Sequence, residues 1–598
     1  MHTTDLISPQ QAQTLAGLFA CRLARTPDQP AYRYYQEASQ GWGVCSWAQV
    51  AQQAALWQQA MRDDGLQAGD RVAMMLNNSL EWVLFDLAAT GLGLVTVPLY
   101  ANDRPESFAY ILQATEPRLL LTDGLEQWQR VEQVGDRLQS LERIVTLQTV
   151  CEVDCDPRLR QVHEWLPQAS AAPYQAAPAD PDSLATIVFT SGTTGHPKGV
   201  MLSHRNLLEN AAAGVAQVPI MGDDQFLSFL PLSHMFERTA GYYIPMMAGA
   251  CVAFVRSIDL LAEDLQAIRP TVLISVPRIF ERIFNKMTLK LADESWAARK
   301  IFQLAVSAGW HHFQYHRQRQ PWAIQLLIWP FLKRLVGPKL AERLGGRLRL
   351  AICGGAPLST PIAETFIGLG LTILQGYGMT ETSPVVSVNT PVDNLPLSVG
   401  KPLPGVDVAI GENQELLVKG PNVMLGYWRQ AASIVDADGW LHTGDQARID
   451  ERGYLFITGR IKDIIVLSSG EKVPPEDLQM AIAMDPMFEQ VLVIGENRPY
   501  LAAIVVLNPS QWLLLADKLG LDAADPAQLN SPQVLKILLE QVAHQLKAFP
   551  GYARVHRVHA TLTPWSIDSG LITAALKTRR KPVMELFAAE IEAMYAGH

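Results

Sequence analysis

Short apolar runs alternate with segments of helical spacing over the first 395 residues of the chain. Residues 71–76, 94–98 and 119–121 have the composition of buried strands, and residues 80–90 have the spacing of an amphipathic helix. Alternation of this kind predicts α/β layers around a mainly parallel sheet.

The pattern changes after about residue 395. Short strands separated by turns, at 406–410, 415–418 and 454–457, favour a small β-barrel-like subdomain. The last 130-odd residues mix helix and strand patterns and predict a small α+β domain. The expected division is an N-terminal domain at 1–461, with α/β subdomains at about 10–180 and 181–395 and a β subdomain at about 396–461, and a C-terminal domain at 462–598.

Composition narrows the class of protein. The chain has 598 residues, of which 48% are hydrophobic and 18% charged, and this describes a globular protein too long for one core. A net charge of −10 gives no reason to expect nucleic-acid binding. Six cysteines without a zinc-type spacing favour a reduced protein.

Neither a signal peptide nor a membrane span is expected from the sequence. The first six residues are neither basic nor strongly apolar. The longest uncharged run, 239–255, has 17 residues and is interrupted by glycine and proline, so it predicts a helix leading into a buried strand. We therefore expect a cytoplasmic protein, or one attached only at the inner surface of the membrane.

The most specific motif follows the apolar run 185–189. It contains three glycines, four hydroxyl residues and one lysine: Thr190, Ser191, Gly192, Thr193, Thr194, Gly195, His196, Pro197, Lys198 and Gly199. Such a loop turns backbone N–H groups toward a polyphosphate while the lysine adds a point charge. It is not a Walker A loop, in which Gly-Lys-Ser/Thr opens a helix, because Gly199 follows Lys198. A surface hairpin rich in turn residues is the alternative.

This decamer resembles the phosphate loop of the acyl-adenylate-forming superfamily, which includes acyl-CoA synthetases, peptide-synthetase adenylation domains and luciferases. Motifs in the family's order extend the resemblance over about residues 15–585, and Phe236-Glu237-Arg238 is similar to the long-chain fatty acid branch. The resemblance implies an α/β fold whose large N-terminal domain is joined by a hinge to a small, mobile α+β C-terminal domain. Strands that end in glycine-rich loops also suit a nucleotide cleft.

The resemblance also assigns roles to single residues. Gly355, Ala356 and Tyr377 are expected to frame the adenine. Four neighbours in the same two motifs are expected to belong to the nucleotide site: Pro357, Gln375, Gly376 and Gly378. The other assignments are Thr380 to the α-phosphate, Glu381 to Mg2+, Asp445 and Arg460 to the ribose, Lys462 to the interdomain pivot and His234 to the edge of the carboxylate pocket. An aromatic ring suits a purine face, and a carboxylate beside phosphates needs a cation between them. A lone histidine is otherwise more often structural.

Two segments near the C-terminus complete the resemblance. Residues 468–473 contain Gly470 and resemble the loop that lines the pantetheine channel. Residues 570–577 resemble the closing segment that carries the catalytic lysine, here Lys577. Family members usually have proline where Ala574 stands, and the difference concerns the stiffness of this loop. An ordinary surface lysine is the alternative.

Residues 311–349 differ in composition from the rest of the chain. They contain eight Lys/Arg side chains, a single acidic residue, Glu342, and the large apolar residues Trp322, Trp329 and Phe331. Basic side chains among large apolar ones suit an anionic membrane surface. An internal helical hairpin with a solvated basic face is the alternative, and the sequence leaves both open.

The reaction implied is ATP-dependent activation of a medium- to long-chain fatty acid through acyl-AMP, followed by transfer to CoA. Because the carboxylate is already ionised at neutral pH, the site must neutralise charge and align the reactants. Five side chains are expected to be catalytic: Lys198, His234, Thr380, Glu381 and Lys577. The expected cofactors are ATP, Mg2+ and coenzyme A. The alternatives are delivery to an acyl carrier protein, a CoA ligase for another acid, a phosphotransferase and a non-catalytic binding protein. The oligomeric state is not predicted.

Overall fold

A computed structural model describes residues 5–135, 138–149, 156–169, 172–190, 197–431, 433–573 and 577–596. Many helices begin where the local sequence offers a cap. The side chains of Ser46, Ser79 and Ser203 each accept a hydrogen bond from a backbone N–H of the first helical turn. Local sequence therefore determines where these helices begin.

The first α/β region alternates helices and strands, as the sequence predicts. In chain order its elements are α1 (Pro9–Ala12), α2 (Leu15–Arg25), β1 (Pro30–Gln36), β2 (Gly41–Ser46), α3 (Trp47–Asp63), β3 (Arg71–Met75), α4 (Leu80–Gly91), β4 (Val95–Leu99), α5 (Pro105–Thr115), β5 (Leu119–Thr122), α6 (Leu125–Glu132), β6 (Arg143–Thr146), β7 (Leu159–Gln161), α7 (Val162–Trp165) and β8 (Leu184–Thr190).

The second region continues the alternation and adds three long helices. Its elements are β9 (Lys198–Ser203), α8 (His204–Gln217), β10 (Gln225–Ser228), α9 (Met235–Glu237), α10 (Ile244–Ala248), β11 (Cys251–Phe254), α11 (Leu261–Ile268), β12 (Val272–Ser275), α12 (Pro277–Ala292), α13 (Trp296–His316), α14 (Gln325–Arg343), β13 (Leu350–Cys353), α15 (Thr360–Gly368), β14 (Ile373–Gly378), β15 (Val385–Val388) and β16 (Lys401–Pro402).

Short strands and then a mixed region complete the chain. The elements are β17 (Asp407–Ile410), β18 (Glu415–Lys419), β19 (Gly426–Tyr427), β20 (Leu441–Ile449), β21 (Leu455–Arg460), β22 (Ile465–Val466), β23 (Lys472–Val473), α16 (Pro475–Ala483), β24 (Phe488–Ile494), β25 (Leu501–Leu507), α17 (Pro509–Leu519), α18 (Pro526–Leu529), α19 (Pro532–Gln545), β26 (Val555–Thr561), α20 (Arg580–Leu586) and α21 (Ala588–Tyr595).

Two large sheets form the centre of the protein. One has eight strands in the order β19-β9-β8-β4-β3-β5-β6-β7, and the other has nine in the order β16-β15-β14-β13-β12-β10-β11-β1-β2. The inner pairs are parallel, and antiparallel pairs occur toward the edges. Each sheet draws strands from both sides of residue 180, because β1 and β2 join the second sheet and β8 and β9 the first.

Smaller sheets follow. The strands predicted between 406 and 457 form a four-stranded antiparallel sheet, β17-β18-β20-β21, and the C-terminal region is built on a three-stranded sheet, β24-β25-β26. The buried members of the apolar clusters lie either between residues 7 and 455 or between residues 465 and 595. The fold is thus α/β, with a large N-terminal part and a small α+β C-terminal part.

Three local predictions can be compared with the structure. The helix predicted at 80–90 exists as α4, but it is not amphipathic, because it packs between α2, α3 and β4 and all its residues except Glu81 are buried. The run 239–255 forms a π-helical turn, Arg238–Tyr243, then α10 and the buried strand β11, as expected. Among the described residues, no helix is both long enough and apolar enough to cross a bilayer.

Candidate active site

A cavity of about 2850 Å³ lies where the two large sheets, the four-stranded sheet and the C-terminal region meet. Binding sites for single small molecules usually have roughly 300–1,000 Å³, so this space can hold more than one substrate. Its walls include the end of β8, the loops after β13 and β14, the facing parts of β20 and β21, and residues of α16 and α20.

Most of the predicted site residues lie in this cavity. Those that line it are Thr190, Lys198, His234, Gly355, Ala356, Pro357, Gln375, Gly376, Tyr377, Gly378, Thr380, Glu381, Asp445, Arg460, Lys462 and Lys577. Five predicted residues of the phosphate loop lie outside the described residues: Ser191, Gly192, Thr193, Thr194 and Gly195. Gly470, in the turn between β22 and β23, is exposed and is not part of the lining.

The two ends of the predicted phosphate loop are held together by strand pairing. Thr190, the last residue of β8, is the cross-strand partner of Lys198, the first residue of β9. The ammonium nitrogen of Lys198 lies 4.8 Å from the centre of the Tyr427 ring, which β19 brings to the edge of β9. A cation over an aromatic face is attracted by the ring quadrupole, so this contact orients the lysine at the loop.

Tyr427 also contacts the predicted metal ligand. Its hydroxyl donates a hydrogen bond of 2.9 Å to Oε1 of Glu381, which is only 7% exposed. Burial, together with the neighbouring charge of Glu381, raises the pKa of the Tyr427 hydroxyl, so it remains a donor. Tyr427 was not among the residues predicted from the sequence, where its only signal is an aromatic pair with Trp428 after Gly426.

The donor set near Glu381 fits magnesium held jointly by protein and substrate. In the parts of the chain that the structure describes, no group of three or more His, Cys, Asp or Glu side chains is arranged to hold a metal ion. Mg2+ is usually bound through one or two carboxylates together with substrate phosphates. A single, largely buried carboxylate beside the phosphate-loop lysine therefore suits Mg2+ carried by a nucleotide.

The predicted ribose site lies on two paired strands. Asp445 of β20 and Arg460 of β21 are cross-strand partners, and Nε of Arg460 lies 3.0 Å from Oδ1 of Asp445. The hydroxyl of Tyr377 donates a hydrogen bond of 2.5 Å to Oδ2 of the same carboxylate. Burial and the charge of Asp445 raise the pKa of Tyr377. These contacts fix the Asp445 carboxylate at the cavity wall, where it can accept hydrogen bonds from a sugar diol.

The two loops predicted around the adenine are tied to each other. The side-chain oxygen of Gln375 accepts a hydrogen bond of 2.8 Å from the backbone N–H of Leu358. A side chain at Gly378 would not fit, since its Cβ would lie 2.0 Å from the carbonyl oxygen of Pro384. Gly355 has a φ of +81°, a conformation that favours glycine. The loops thus present backbone closely to the cavity.

His234 lines the cavity at the start of α9. Its Nδ1 accepts a hydrogen bond of 3.2 Å from the backbone N–H of Phe236, whose ring packs beneath Gly354. Burial, helped by the charge of Lys577, lowers the pKa of His234 to about 4, so the ring is neutral at pH 7. Five further residues of the lining, here called the apolar extension of the cavity, come from α8, the segment after it, the π-helical turn and α10: Gly214, Val218, Ile220, Ala240 and Ile244.

Lys577 lines the cavity from the C-terminal region and is bonded to Thr573, while Ala574 lies outside the described residues. The backbone N–H of Thr573 donates to the carbonyl of Lys577 at 2.8 Å, and the N–H of Lys577 donates to the Thr573 hydroxyl at 3.1 Å. Burial between the two parts of the protein and the charge of Arg460 lower the pKa of Lys577, although water still reaches its side chain. Three negative charges raise the pKa of Lys577 and so oppose this effect: Glu476, Asp445 and, more weakly, Glu381.

A second acidic residue, Glu476, was missed by sequence reasoning. It lies in the first turn of α16 and lines the same cavity as Lys577. Burial raises the pKa of Glu476, an effect that Arg460 and Lys577 oppose. Its place in the site depends on how the C-terminal region packs on the rest of the protein, and a local pattern does not predict that packing.

Two contacts hold the segment before Lys577 against the N-terminal part. The carboxylate of Asp568 lies 4.0 Å from Arg130, an exposed pair that contributes little by itself. Gly570, with a φ of +71°, lies close to Arg104, because a Cβ there would be 2.7 Å from a guanidinium nitrogen. The arrangement described here therefore places the predicted adenylation lysine in the cavity and the Gly470 loop outside it.

Comparison with known proteins shows the family of the chain. A family model described as AMP-binding enzyme matches residues 19–428, and one described as AMP-binding enzyme C-terminal domain matches residues 462–598. The long-chain-fatty-acid–CoA ligase FadD15 of Mycobacterium bovis is 31% identical over 577 residues, covering 95% of both chains. The peroxisomal long chain acyl-CoA synthetase 6 of Arabidopsis thaliana is 30% identical and covers 89% of this chain and 78% of its own.

Solved structures show the same fold at lower identity. The anthranilate CoA ligase AuaEII, in complex with anthranoyl-AMP, superposes with a TM-score of 0.73 at 20% identity, covering 97% of this chain and 98% of its own. ATP-bound MatB from Rhodopseudomonas palustris superposes with a TM-score of 0.69 at 24% identity, covering 96% and 99%. With both family models matched in sequence order, the chain belongs to the family of AMP-binding enzymes.

Proposed function

We propose that this protein is a long-chain fatty acid–CoA ligase. It would convert a fatty acid and ATP into acyl-AMP and pyrophosphate, and then transfer the acyl group to CoA with release of AMP. The observation that carries the proposal is that Lys198, Glu381 and Lys577 line the same cavity as the residues of the apolar extension. The ligases FadD15 and acyl-CoA synthetase 6, named above, support the substrate class.

Charge neutralisation is the main task of the site in the first step. A carboxylate oxygen attacks the α-phosphorus of ATP, and the bond from this phosphorus to the pyrophosphate oxygen breaks. Lys198 and Lys577 would offset the negative charge that two anions bring together, and Thr380 would donate to the α-phosphate. Mg2+, held by Glu381 and the phosphates, would supply further positive charge. Asp445 and Arg460 would hold the ribose so that the reacting atoms are aligned.

The apolar extension would hold the acyl chain. Its lining is built from α8, the π-helical turn and α10, and the neutral His234 lines the same cavity. A neutral imidazole can donate to the fatty acid carboxylate without adding a charge that favours its ground state. The tunnel would thus bind the chain while the lysines act on the reacting groups.

In the second step the CoA sulfur attacks the acyl carbonyl, the thiol proton is released and AMP leaves. We propose that a rotation of the C-terminal domain, 462–598, against the adenylation domain, 1–461, with Lys462 at the pivot, replaces Lys577 by the Gly470 loop. The separate buried clusters on the two sides of residue 461 support this division. An acyl carrier protein as acceptor is the second candidate, and peripheral contact with the membrane is part of the proposal.

Pyrophosphate exchange tests the proposed function directly. The wild-type protein is incubated with ATP, labelled pyrophosphate and a panel of carboxylic acids, and acyl-CoA is then measured with free CoA and with an acyl carrier protein. We expect exchange that depends on fatty acid, followed by AMP release with CoA. Formation of ADP, or exchange only with short or aromatic acids, would contradict the proposal. Transfer to the carrier protein but not to CoA would favour the second candidate.

A further inference from the structure

The helices α12, α13 and α14 form a projecting layer next to the nine-stranded sheet. α13 packs against α14 and α15, and the apolar cluster beneath them includes Ala305 and Leu340. On this inner side, Trp329 and Leu340 of α14 are 5% and 7% exposed. Residues 311–349 thus contain the end of α13 and the whole of α14, which pack as a helical hairpin, and one side of α14 belongs to the core.

The outer side of α14 is apolar as well. Five apolar residues share one face of the helix, because each lies three, four or seven positions from at least two of the others. They are Ile324, Leu327, Ile328, Phe331 and Leu335. All are exposed, with Phe331 at 73%, Ile324 at 70% and Leu327 at 61%. Trp322, just before the helix, is 59% exposed. An apolar stripe of this extent on a protein surface marks a contact with something else.

Cationic side chains border this stripe. Arg334 and Lys339 lie on either side of it along α14, and Arg343 and Arg347 follow at its C-terminal end. All four are exposed, and within the described part of the chain none of them forms an ion pair. The acidic side chains nearest in sequence are Glu342, within α14, and Glu364, in α15. The face is therefore apolar along its centre, with the exposed Glu342 at its C-terminal end, and positive along its edges, in a protein whose net charge is −10.

We propose that this face of α14, the α14 stripe, docks on an anionic lipid bilayer. The aliphatic and aromatic side chains would enter the interface, and the four cations would contact lipid phosphates. A second copy of the chain is the poorer occupant, since a two-fold contact places the same patch against itself and would bring the cations of both copies together. The proposal does not depend on the enzyme activity, although a membrane would concentrate a poorly soluble substrate.

Flotation with lipid vesicles tests the proposal on the full-length protein. Vesicles of phosphatidylcholine alone are compared with vesicles of equal parts phosphatidylcholine and phosphatidylglycerol, at low and at high salt. The stripe variant is Leu327→Glu/Phe331→Glu. Its matched control is Leu513→Glu/Leu514→Glu, which places the same charges at residues 58% and 65% exposed on α17. Arg334→Gln/Lys339→Gln tests the border cations, with Lys518→Gln/Lys536→Gln as its control.

We expect the wild type to bind anionic vesicles at least tenfold better than neutral ones and to lose this preference at high salt, because salt screens the cations. The stripe variant should bind at least tenfold more weakly, the border variant should lose the preference for anionic lipid, and both controls should behave as wild type. Thermal unfolding and pyrophosphate exchange without vesicles should be unchanged in all of them. Equal binding by stripe and control variants, or no wild-type binding at low salt, overturns the proposal. Sedimentation that shows a wild-type dimer, dissociated only by the stripe variant, assigns the face to a second copy instead.

Discussion

Arg238 and Asp86 form an ion pair that is enclosed in the protein, with side chains 0% and 1% exposed. The same guanidinium donates hydrogen bonds to the hydroxyls of Thr186, at 2.9 Å, and Thr96, at 3.0 Å. Thr186 lies in β8, four residues before Thr190 at the start of the phosphate loop. The pair therefore fixes the strand from which that loop leaves the sheet.

Removing one partner of this pair should be strongly destabilising. Asp86→Ala leaves a buried guanidinium without its counter-ion, and we expect a loss of about 3–5 kcal/mol in the free energy of unfolding. In Asp86→Ala/Arg238→Met the remaining charge is also removed, so part of the loss should be recovered. Denaturant unfolding of the three proteins measures this. A single variant as stable as the wild type would contradict the role given to the pair.

Lys577 should matter for adenylation and much less for thioester formation. Because Lys577→Ala removes a positive charge from the cavity, we expect acyl-AMP formation to fall by a factor on the order of 10² or more. Conversion of supplied acyl-AMP and CoA to acyl-CoA should persist. Lys536→Ala, at an exposed position in α19, is the control and should retain both activities. If both half-reactions fell equally, the role proposed for Lys577 would be wrong.

Glu381 and Tyr427 should act together on magnesium. Glu381→Gln removes the charge, and we expect slower adenylation with a weaker dependence on Mg2+ and an unchanged fold. Tyr427→Phe removes the hydrogen bond to this carboxylate and should change the Mg2+ titration in the same direction, by less. Tyr454→Phe is the control, because its hydroxyl bonds the carboxylate of Asp393 outside the cavity. Normal turnover and a normal metal titration in Glu381→Gln would remove it from the site.

A buried imidazole should make stability fall in mild acid. Burial lowers the pKa of His204 from 6.5 to about 4, and its Nδ1 accepts a hydrogen bond from the backbone N–H of Leu15. Between pH 6.5 and about 4 the unfolded chain binds a proton that the folded protein does not, so the free energy of unfolding decreases as the pH falls through this window.

His204→Gln keeps an acceptor for Leu15 but cannot be protonated. Its unfolding free energy should therefore change less with pH in this window, by up to about 1.4 kcal/mol per pH unit. Urea unfolding at several pH values measures the slope, with His556→Gln, at an exposed position, as the control. The same slope in wild type and His204→Gln would show that this imidazole is not the group responsible.

The fold was predictable where it depends on local pattern. The apolar runs at 71–76 and 119–121 correspond to β3 and β5, and the turn-rich segment after 395 forms short antiparallel strands. The sheet to which each strand belongs was not predictable. Tyr32 of β1, for example, pairs with Val252 of β11, more than two hundred residues later. Hydrophobic spacing indicates that a segment is a buried strand, but it does not indicate which other strand pairs with it.

The same distinction applies to the site. Gly378 and Lys198 could be assigned from the sequence because each belongs to a short motif whose chemistry is local. Tyr427 and Glu476 could not, since one reaches the site through the pairing of β19 with β9 and the other through the packing of the C-terminal region. For the α14 stripe, the sequence showed only a segment rich in basic and large apolar residues. Which of these apolar residues are exposed depends on tertiary packing and could not be predicted.

The apolar extension of the cavity should select the acyl chain by length. Each methylene buried there is worth about 0.8 kcal/mol, close to fourfold in affinity, until the tunnel is full. We expect weak activity on acetate and benzoate and an optimum between about 10 and 18 carbons. A series of straight-chain acids from acetate upward, with benzoate added, measures this. Best activity on acetate or benzoate would falsify the long-chain assignment and leave the adenylation chemistry intact.

Gly214 of α8 offers a way to shorten the tunnel. It lines the cavity, and a Cβ added to it would lie 3.1 Å from Cδ1 of Ile244 in α10, so a larger side chain would crowd the apolar extension. Gly214→Met should therefore move the optimum to shorter acids, and activity on the longest acids should fall at least tenfold while that on shorter ones is kept. Ala216→Met, exposed on the same helix, is the control and should keep the wild-type profile. If Gly214→Met lowered activity on all chain lengths equally, Gly214 would not limit the length of the acyl chain.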